Sequence, residues 1–399
     1  MDVVVRGEGE SVISGIVERL RKGESVSGCV TGESCRPEAI ATRIRSLLDR
    51  DGYRIKNHRL AMMHTSRGCP KNCEFCSTRN LMGRRFRSRT VDSILDEMLD
   101  LRASCGITAF DFEDDNISLD AERFRALLEG VTTKFGERKV LLSCMNGLAY
   151  FDLEPEDIPL MARAGFERLD VSVGNSRVRS AEPCEDGRPS DWSRLQHLIG
   201  VARQSGLDAG VYFILGYPGH RFSEDLDMVG FLSEQPVMLG PSVFYPPPGT
   251  DLYGRLLKDG RISDEFEVCR SSAVAYEDGE YTRPRVLMLL AACRALNVIK
   301  SIGMGSAVTV ADWVRITLKR QGSAISGDGR MCGGAPEATA AYLLHRSFEH
   351  GEWFSLRRSR KKRSGAYVYR VEKTPYQSEQ VVEFLEQLKV ADASRRSQD

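Results

Sequence analysis

The chain has 399 residues, 41% of them hydrophobic and 28% charged, an ordinary globular balance with room for two domains or one large domain with an extension. Its 56 basic residues cancel its 56 acidic ones, so net charge gives no pull toward nucleic acid or an acidic membrane surface. The first residues lack the apolar core of a signal peptide, and no apolar run reaches the roughly 20 residues that cross a bilayer.

The 11 cysteines are odd in number and three are crowded together, which argues against a disulfide framework and for a reducing compartment. The expected location is the cytoplasm.

In chain order, Asp2 to Val5 is a short apolar run expected to be a buried strand. Gly7-Glu-Gly9 turns it into a helix over about 10–21, with Val12, Ile13, Ile16, Val17 and Leu20 on one stripe. Residues of about 23–60 read as linker plus one helix, Ala39 to Leu48.

From residue 61 short apolar runs alternate with amphipathic stretches. Ala61-Met-Met63 leads into a cysteine-bearing loop. Thr90 to Leu101 reads as a helix capped by Thr90 or Asp92. Strands are expected at about 108–112, 140–145, 168–173, 209–215 and 241–245, and helices at about 120–131, 156–164, 192–205 and 224–233. Six strands alternating with helices imply a parallel sheet with right-handed crossovers. Polar or glycine clusters follow several strands, where parallel α/β folds bind ligands: the cysteine loop, Glu113–Asn116, Gly174-Asn175 and Gly216–Gly219.

Beyond residue 255 the character changes. Val286 to Ile302 is a long apolar helix and Gly322 to Gly334 a glycine-rich loop. Two antiparallel strands are expected around Trp353–Leu356 and Ala366–Val371, joined by a charged turn. A helix at about 380–388 follows.

The strongest chemical signal is Thr65-Ser-Arg-Gly-Cys-Pro-Lys-Asn-Cys-Glu-Phe-Cys-Ser77. Cys69, Cys73 and Cys76 stand at C-x3-C-x2-C spacing with Phe75 just before the third. Thiolates are soft ligands that suit iron–sulfur clusters and zinc. Three can hold three corners of a [4Fe-4S] cluster and leave one iron open. Structural zinc needs four closed ligands, commonly from paired C-x2-C units, and only one such unit is present.

This motif, in the first loop of a six-unit β/α pattern, resembles the radical S-adenosylmethionine (SAM) superfamily over about residues 61–255. Gly83-Arg-Arg-Phe-Arg-Ser-Arg89, Phe112–Asp120, Phe213–Gly219 and Tyr245–Tyr253 resemble the branch that often carries an N-terminal cobalamin-binding domain.

The resemblance implies a partial (β/α)6 barrel with a mainly helical α+β extension at the C-terminus. It implies three segments: 1–60 as a cobalamin-domain remnant plus linker, 61–255 as the core, and 256–399 as a cap. It implies that Cys69, Cys73 and Cys76 bind the cluster and that the open iron chelates SAM. Phe75 would lie near adenine. One of Asp114, Asp115 and Asn116 would face the SAM amine. Ser172 and Asn175 would lie near its ribose or carboxylate, and Gly216 near adenine. An electron donor such as a flavodoxin or ferredoxin is the implied partner, with an unknown substrate and neither membrane nor nucleic acid.

The expected reaction is reductive SAM cleavage followed by hydrogen abstraction from substrate. The alternatives are a cobalamin-dependent methyltransferase whose cobalamin domain is missing or separately supplied, and a non-catalytic iron–sulfur or zinc sensor. No D-x-H-x-x-G motif occurs in the chain, which argues against cobalamin on this polypeptide alone. Arg79, Arg84, Arg85, Arg87 and Arg89 form either an anion-binding patch or a solvated basic face. Cys184 and Cys332 are ordinary thiols with a conceivable place near the mouth, and Cys105, Cys144 and Cys293 read as core.

Overall fold

A computed structural model describes residues 2–35, 53–174, 192–302, 308–321, 330–331, 336–361 and 367–391. The chain forms two compact units. The first comprises residues 1–170, 204–207 and 246–260; the second comprises 171–203, 208–245 and 261–399.

The first unit opens with β1 (Val3–Gly7), α1 (Ile13–Arg21) and β2 (Gly28–Gly32). β1 and β2 pair in parallel from Val3↔Gly28 to Gly7↔Gly32. The run of valines is not the buried strand its composition suggests. Val4 is 44% exposed, because a two-stranded sheet covers only one of its faces. The 23–60 stretch contains β2, so it is more than linker; its expected helix lies outside the described residues.

The α/β alternation then follows. β3 (His58–Met63) leads to the cysteine loop, flanked by β4 (Ser66–Arg67), α2 (Thr78–Leu81) and β5 (Arg87–Ser88). Next come α3 (Val91–Cys105), β6 (Ala109–Phe112), α4 (Ala121–Phe135), β7 (Leu141–Ser143) and α5 (Asp157–Ala164). β3 pairs in parallel with β6, and β6 with β7.

The helix starts follow their capping chemistry. Thr90, not Asp92, caps α3 by accepting from the Ser93 N–H at 3.3 Å. Asp120 caps α4 by accepting from the Arg123 N–H at 3.0 Å. Gly165 stops α5 at φ 120°, where a Cβ would meet the Val140 carbonyl oxygen at 2.1 Å. Met63, Phe110 and Phe112 of the strands are buried with Ile94, Met98, Phe124, Leu127 and Met161 of the helices. Burial of such side chains supplies about 1.5–3 kcal/mol each.

The chain passes into the second unit within β8 (Arg168–Gly174) and continues through α6 (Trp192–Gln204), β9 (Asp208–Leu215), α7 (Phe222–Glu234) and β10 (Met238–Val243). β9 and β10 pair in parallel from Gly210↔Met238 to Leu215↔Val243. α8 (Asp251–Lys258) returns to the first unit.

α9 (Arg283–Ile302) covers the open edge of β10. Its Asn297 amide accepts from the Leu239 N–H at 2.8 Å and donates to the Leu239 carbonyl at 2.6 Å, so this part of the strand edge has no orphaned backbone groups. Lys300, one turn on, is fully buried and donates to the carbonyls of Ser233 (2.7 Å) and Gln235 (2.5 Å) at the end of α7.

Beyond it lie α10 (Val310–Gln321), α11 (Pro336–His350), the antiparallel pair β11 (Glu352–Lys361) and β12 (Tyr367–Gln377), and α12 (Glu379–Gln387). The antiparallel pair matches the sequence expectation; α10 and α11 were not anticipated. Cys184, Cys332 and the Gly322–Gly334 loop, apart from 330–331, lie outside the described residues, as do 362–364 of the charged turn expected at Arg357–Ser364; its first five residues are not turn but the end of β11.

Glu8, just after β1, ties the N-terminal piece to the ribbon β4–β5. Its carboxylate accepts from Arg67 Nη1 (3.1 Å), from Arg87 Nη2 and from the Cys35 N–H (2.9 Å). Burial pulls its pKa up, but the bonds from Arg87, Cys35 and Arg67 outweigh burial and hold it below the ordinary 4.5. A depressed carboxylate pKa adds stability above the unfolded value and loses it as pH falls through the folded value. The stability gap between wild type and Glu8→Gln should therefore be full at pH 6–7 and shrink as pH drops below about 4.5. Urea unfolding across that range checks it; a gap independent of pH would contradict it.

Candidate active site around the cysteine loop

The cysteine loop leaves the ribbon at Gly68 and re-enters structure at Thr78. Cys69 and Cys76 are half-buried and Cys73 is exposed. The Cys76 N–H donates to the Cys73 carbonyl at 3.1 Å, a tight turn that sets the C-x2-C pair. Partial burial first, and the neighbouring Cys76 thiol after it, push the Cys69 thiol above its ordinary value. Among the described residues, no three His, Cys, Asp or Glu side chains stand close enough together to hold a metal ion. Ligation would therefore draw the three thiols inward on a loop whose two ends are already fixed.

Those ends are fixed by the acidic corner after β6. Asp115 accepts from the Gly68 N–H through Oδ2 (2.8 Å) and from Thr78 Oγ1 through Oδ1 (3.1 Å). One carboxylate thus closes the loop from both sides. Asp114 is buried and accepts from the Thr65 N–H (3.1 Å), Thr65 Oγ1 (2.8 Å) and Ser66 Oγ. Burial raises its pKa and these donors counter it only in part. Asn116 donates through Nδ2 to Asp152 (2.8 Å), and Asp152 also takes Lys71 Nζ at 2.8 Å. All three residues of the corner are spent, at least in part, on holding the loop.

Further braces come from both flanks. Arg123 of α4 donates to the carbonyls of Thr65 (2.8 Å) and Arg89 (3.1 Å). Asn80 donates to the Gly249 carbonyl at 2.6 Å, and Arg79 pairs with Asp251 at 2.7 Å. The arginine cluster is therefore largely neither a free anion site nor a solvated face. Arg79, Arg87 and Arg89 are committed to Asp251, Glu8 and Glu97, while Arg84 and Arg85 are exposed.

Glu113 belongs to the polar cluster expected after β6, but the sequence gives it no role of its own. It follows the end of β6 and takes the Asn146 Nδ2 at 2.6 Å. A hydrogen bond shared with buried Asp111, and then burial, raise its pKa. Asp111 Oδ1 accepts from Ser143 Oγ (2.6 Å) and the Met145 N–H (3.1 Å). The alternation Asp111, Glu113 on one strand face is the signal that would have found this pair. Cys144, Cys105 and Cys293 are buried, as expected of core thiols, and burial pushes Cys144 and Cys293 up in pKa.

Of the other expected residues, Phe75 lies half-buried within the loop and Ser172 half-buried on β8. Gly216 sits just past β9 in the second unit at φ 72°, its N–H donated to buried Asp225 at 2.8 Å. Asn175 lies outside the described residues.

The three-thiol loop thus follows the first core strand of a parallel β/α fold. Residues 63–232 match the family model described as the radical SAM superfamily.

The chain is 33% identical over 269 residues to an uncharacterised methyltransferase of Pyrococcus horikoshii, covering 63% of this chain and 57% of that protein. It is 28% identical over 228 residues to the cytidylyl-2-hydroxyethylphosphonate methyltransferase of Streptomyces wedmorensis, covering 55% and 41%. The chain thus spans about half the length of the curated relatives it matches. In fold it resembles the radical SAM methyltransferase TsrM of Kitasatospora setae, solved with cobalamin and a [4Fe-4S] cluster. The TM-score is 0.53 at 18% identity, covering 67% of this chain and 59% of that one. The fold is the partial β/α barrel of the radical SAM type, with an α+β extension.

The Asp115 clamp makes a prediction that needs no cofactor. Asp115→Ala should make Cys69 and Cys76 react with iodoacetamide about threefold to tenfold faster in the unloaded protein, the equivalent of one lost hydrogen bond. Unchanged rates by mass spectrometry would show that the clamp does not restrain the loop.

Proposed function

We propose that this chain is a radical SAM enzyme that holds one [4Fe-4S] cluster on Cys69, Cys73 and Cys76 and binds SAM at the open iron. The observation that carries the reading is the three-thiol loop closed at both ends by Asp115. The donor set fits: three soft ligands on one loop, no fourth cysteine beside them in sequence, and a braced base. When bound, the cluster and SAM supply a 5′-deoxyadenosyl radical by one-electron cleavage of the sulfonium C–S bond.

The chain's own residues do the rest. Asp114, Asp115 and Arg123 set the position of the loop. Asp115, bonded to both ends of that loop, and Glu113, just past β6, are the carboxylates offered to an ammonium group. The electron comes from a small reductant protein such as a flavodoxin or ferredoxin. A reducing, cytoplasmic setting suits the free thiols. Among the described residues no helix is long and apolar enough to cross a membrane.

For the second step we favour hydrogen abstraction from a substrate. Cobalamin does not fit the residues at hand: the described N-terminal piece is two strands and one helix, and the D-x-H-x-x-G motif is absent from the chain. Methyl transfer is the second reading, favoured by the relatives named as methyltransferases, and it requires the methyl carrier from another polypeptide segment.

Anaerobic reconstitution should give about four irons per chain and, with dithionite and SAM, 5′-deoxyadenosine. Cys69→Ala, Cys73→Ala and Cys76→Ala should each abolish its formation. Cleavage that persists in Cys73→Ala would overturn the assignment. S-adenosylhomocysteine formed only on adding cobalamin would select the methyl-transfer reading.

A further inference from the structure

The N-terminal β1–α1–β2 piece is small; Ile16 and Val26 are buried, but Ile13, Val17 and Leu20 of its stripe are exposed, so apolar burial seats it only in part. Charge does the rest. Glu8 has a side chain 2% exposed, and the arginines it meets, Arg67 and Arg87, are 11% and 12% exposed. Those two arginines stand opposite each other in the β4–β5 ribbon, in register Arg67↔Arg87. Arg67 also donates to Glu10 at 2.6 Å, and Arg87 to the carbonyls of Cys35 and Met82. Two carboxylates and two guanidiniums make a neutral set, shielded from water at Glu8, Arg67 and Arg87 and open to it at Glu10, in which each charge depends on the others.

The backbone is shaped for this contact. Gly7 has φ 93°, and a Cβ there would meet the Gly32 carbonyl oxygen at 2.4 Å; a Cβ on Gly32 would meet the Glu8 carbonyl oxygen at 2.1 Å. Only glycines let β1 and β2 end so close together, and their ends aim Glu8 at the ribbon. The ribbon carries the cysteine loop: Arg67 is two residues before Cys69, and the Cys69 N–H donates to the Gly83 carbonyl at 3.4 Å.

We propose that Glu8 is a positioning residue for the cysteine loop, acting through Arg67 and Arg87, and that β1–α1–β2 is a module for shaping that loop. Glu8 touches no cysteine of the triplet. It fixes the spacing of the two strands between which the loop is strung. The consequence for cofactor holding rests on the function proposed above; the clamp itself does not.

Hydrogen exchange on the full-length, unloaded protein tests the clamp. Glu8→Gln keeps shape and removes charge. The amides of Gly68, Cys69 and Arg89 should exchange at least about tenfold faster than in wild type, while those of α4 and β6 stay unchanged. Arg87→Lys, which keeps charge but loses the planar fork, should show the same pattern if Glu8→Gln fails to fold. Acceleration confined to residues 3–32, with the loop amides unchanged, would overturn the proposal. So would uniform acceleration in both variants, which marks general destabilisation.

In reconstituted protein, Glu8→Gln should bind fewer irons per chain and broaden the reduced-cluster electron paramagnetic resonance signal. A normal signal and iron content in a variant with a loosened loop would overturn the link to the cofactor. A wild type that takes up no iron would fail the proposed function and leave the exchange test of the clamp standing.

Discussion

A single carboxylate, Asp115, holds both ends of the cysteine loop, accepting from the Gly68 N–H and from Thr78 Oγ1. Everything the site can do depends on that closure. Three thiols on a ten-residue loop have little reason to share one small volume, since thiolates repel one another and a free loop loses entropy on closing. Fixing both ends pays this cost before a ligand arrives. Asp114 and Arg123 fix the strand below the loop, and Asp152 takes the loop's Lys71. The α/β fold supplies these residues for an ordinary reason: they sit where β6 ends and α4 begins, the carboxyl end of a parallel strand.

The second layer is electrostatic. Glu8, Glu10, Arg67 and Arg87 form a neutral set in which all but Glu10 are shielded from water. Such a set adds little net stability over a well-packed apolar one, but it allows few alternative geometries. It therefore specifies position more than it stabilises the fold. The same distinction explains Lys300, whose buried ammonium fixes the end of α7 through backbone carbonyls, and Asn297, which seals one edge of β10.

The parts of this structure readable in the sequence were local. The spacing of Cys69, Cys73 and Cys76 needs only one loop. The helix starts at Thr90 and Asp120 need only a side-chain oxygen and an N–H three residues on. The alternation of strands and helices needs only the period of apolar residues. The parts that escaped were long-range. Glu8 meets Arg67 and Arg87 across 59 and 79 residues, and nothing near Glu8 announces either partner. Arg87 and Arg89, expected to form either an anion-binding patch or a solvated face, are instead half-buried and paired with Glu8 and Glu97. Val4 was misread because three valines in a row resemble a covered parallel strand, and only the strand count shows that one face stays open. The Asp114–Asn116 corner stands against the cysteine loop, but its spending on that loop depends on side-chain directions that sequence does not carry.

The central claim is that three thiols hold a cluster with one iron left open. Electron paramagnetic resonance of the reduced, reconstituted protein, with and without SAM, tests it most directly. The account predicts a [4Fe-4S]+ signal whose g-values shift when SAM is added. A cluster signal indifferent to SAM, or a protein that retains zinc and gives no signal, would contradict it.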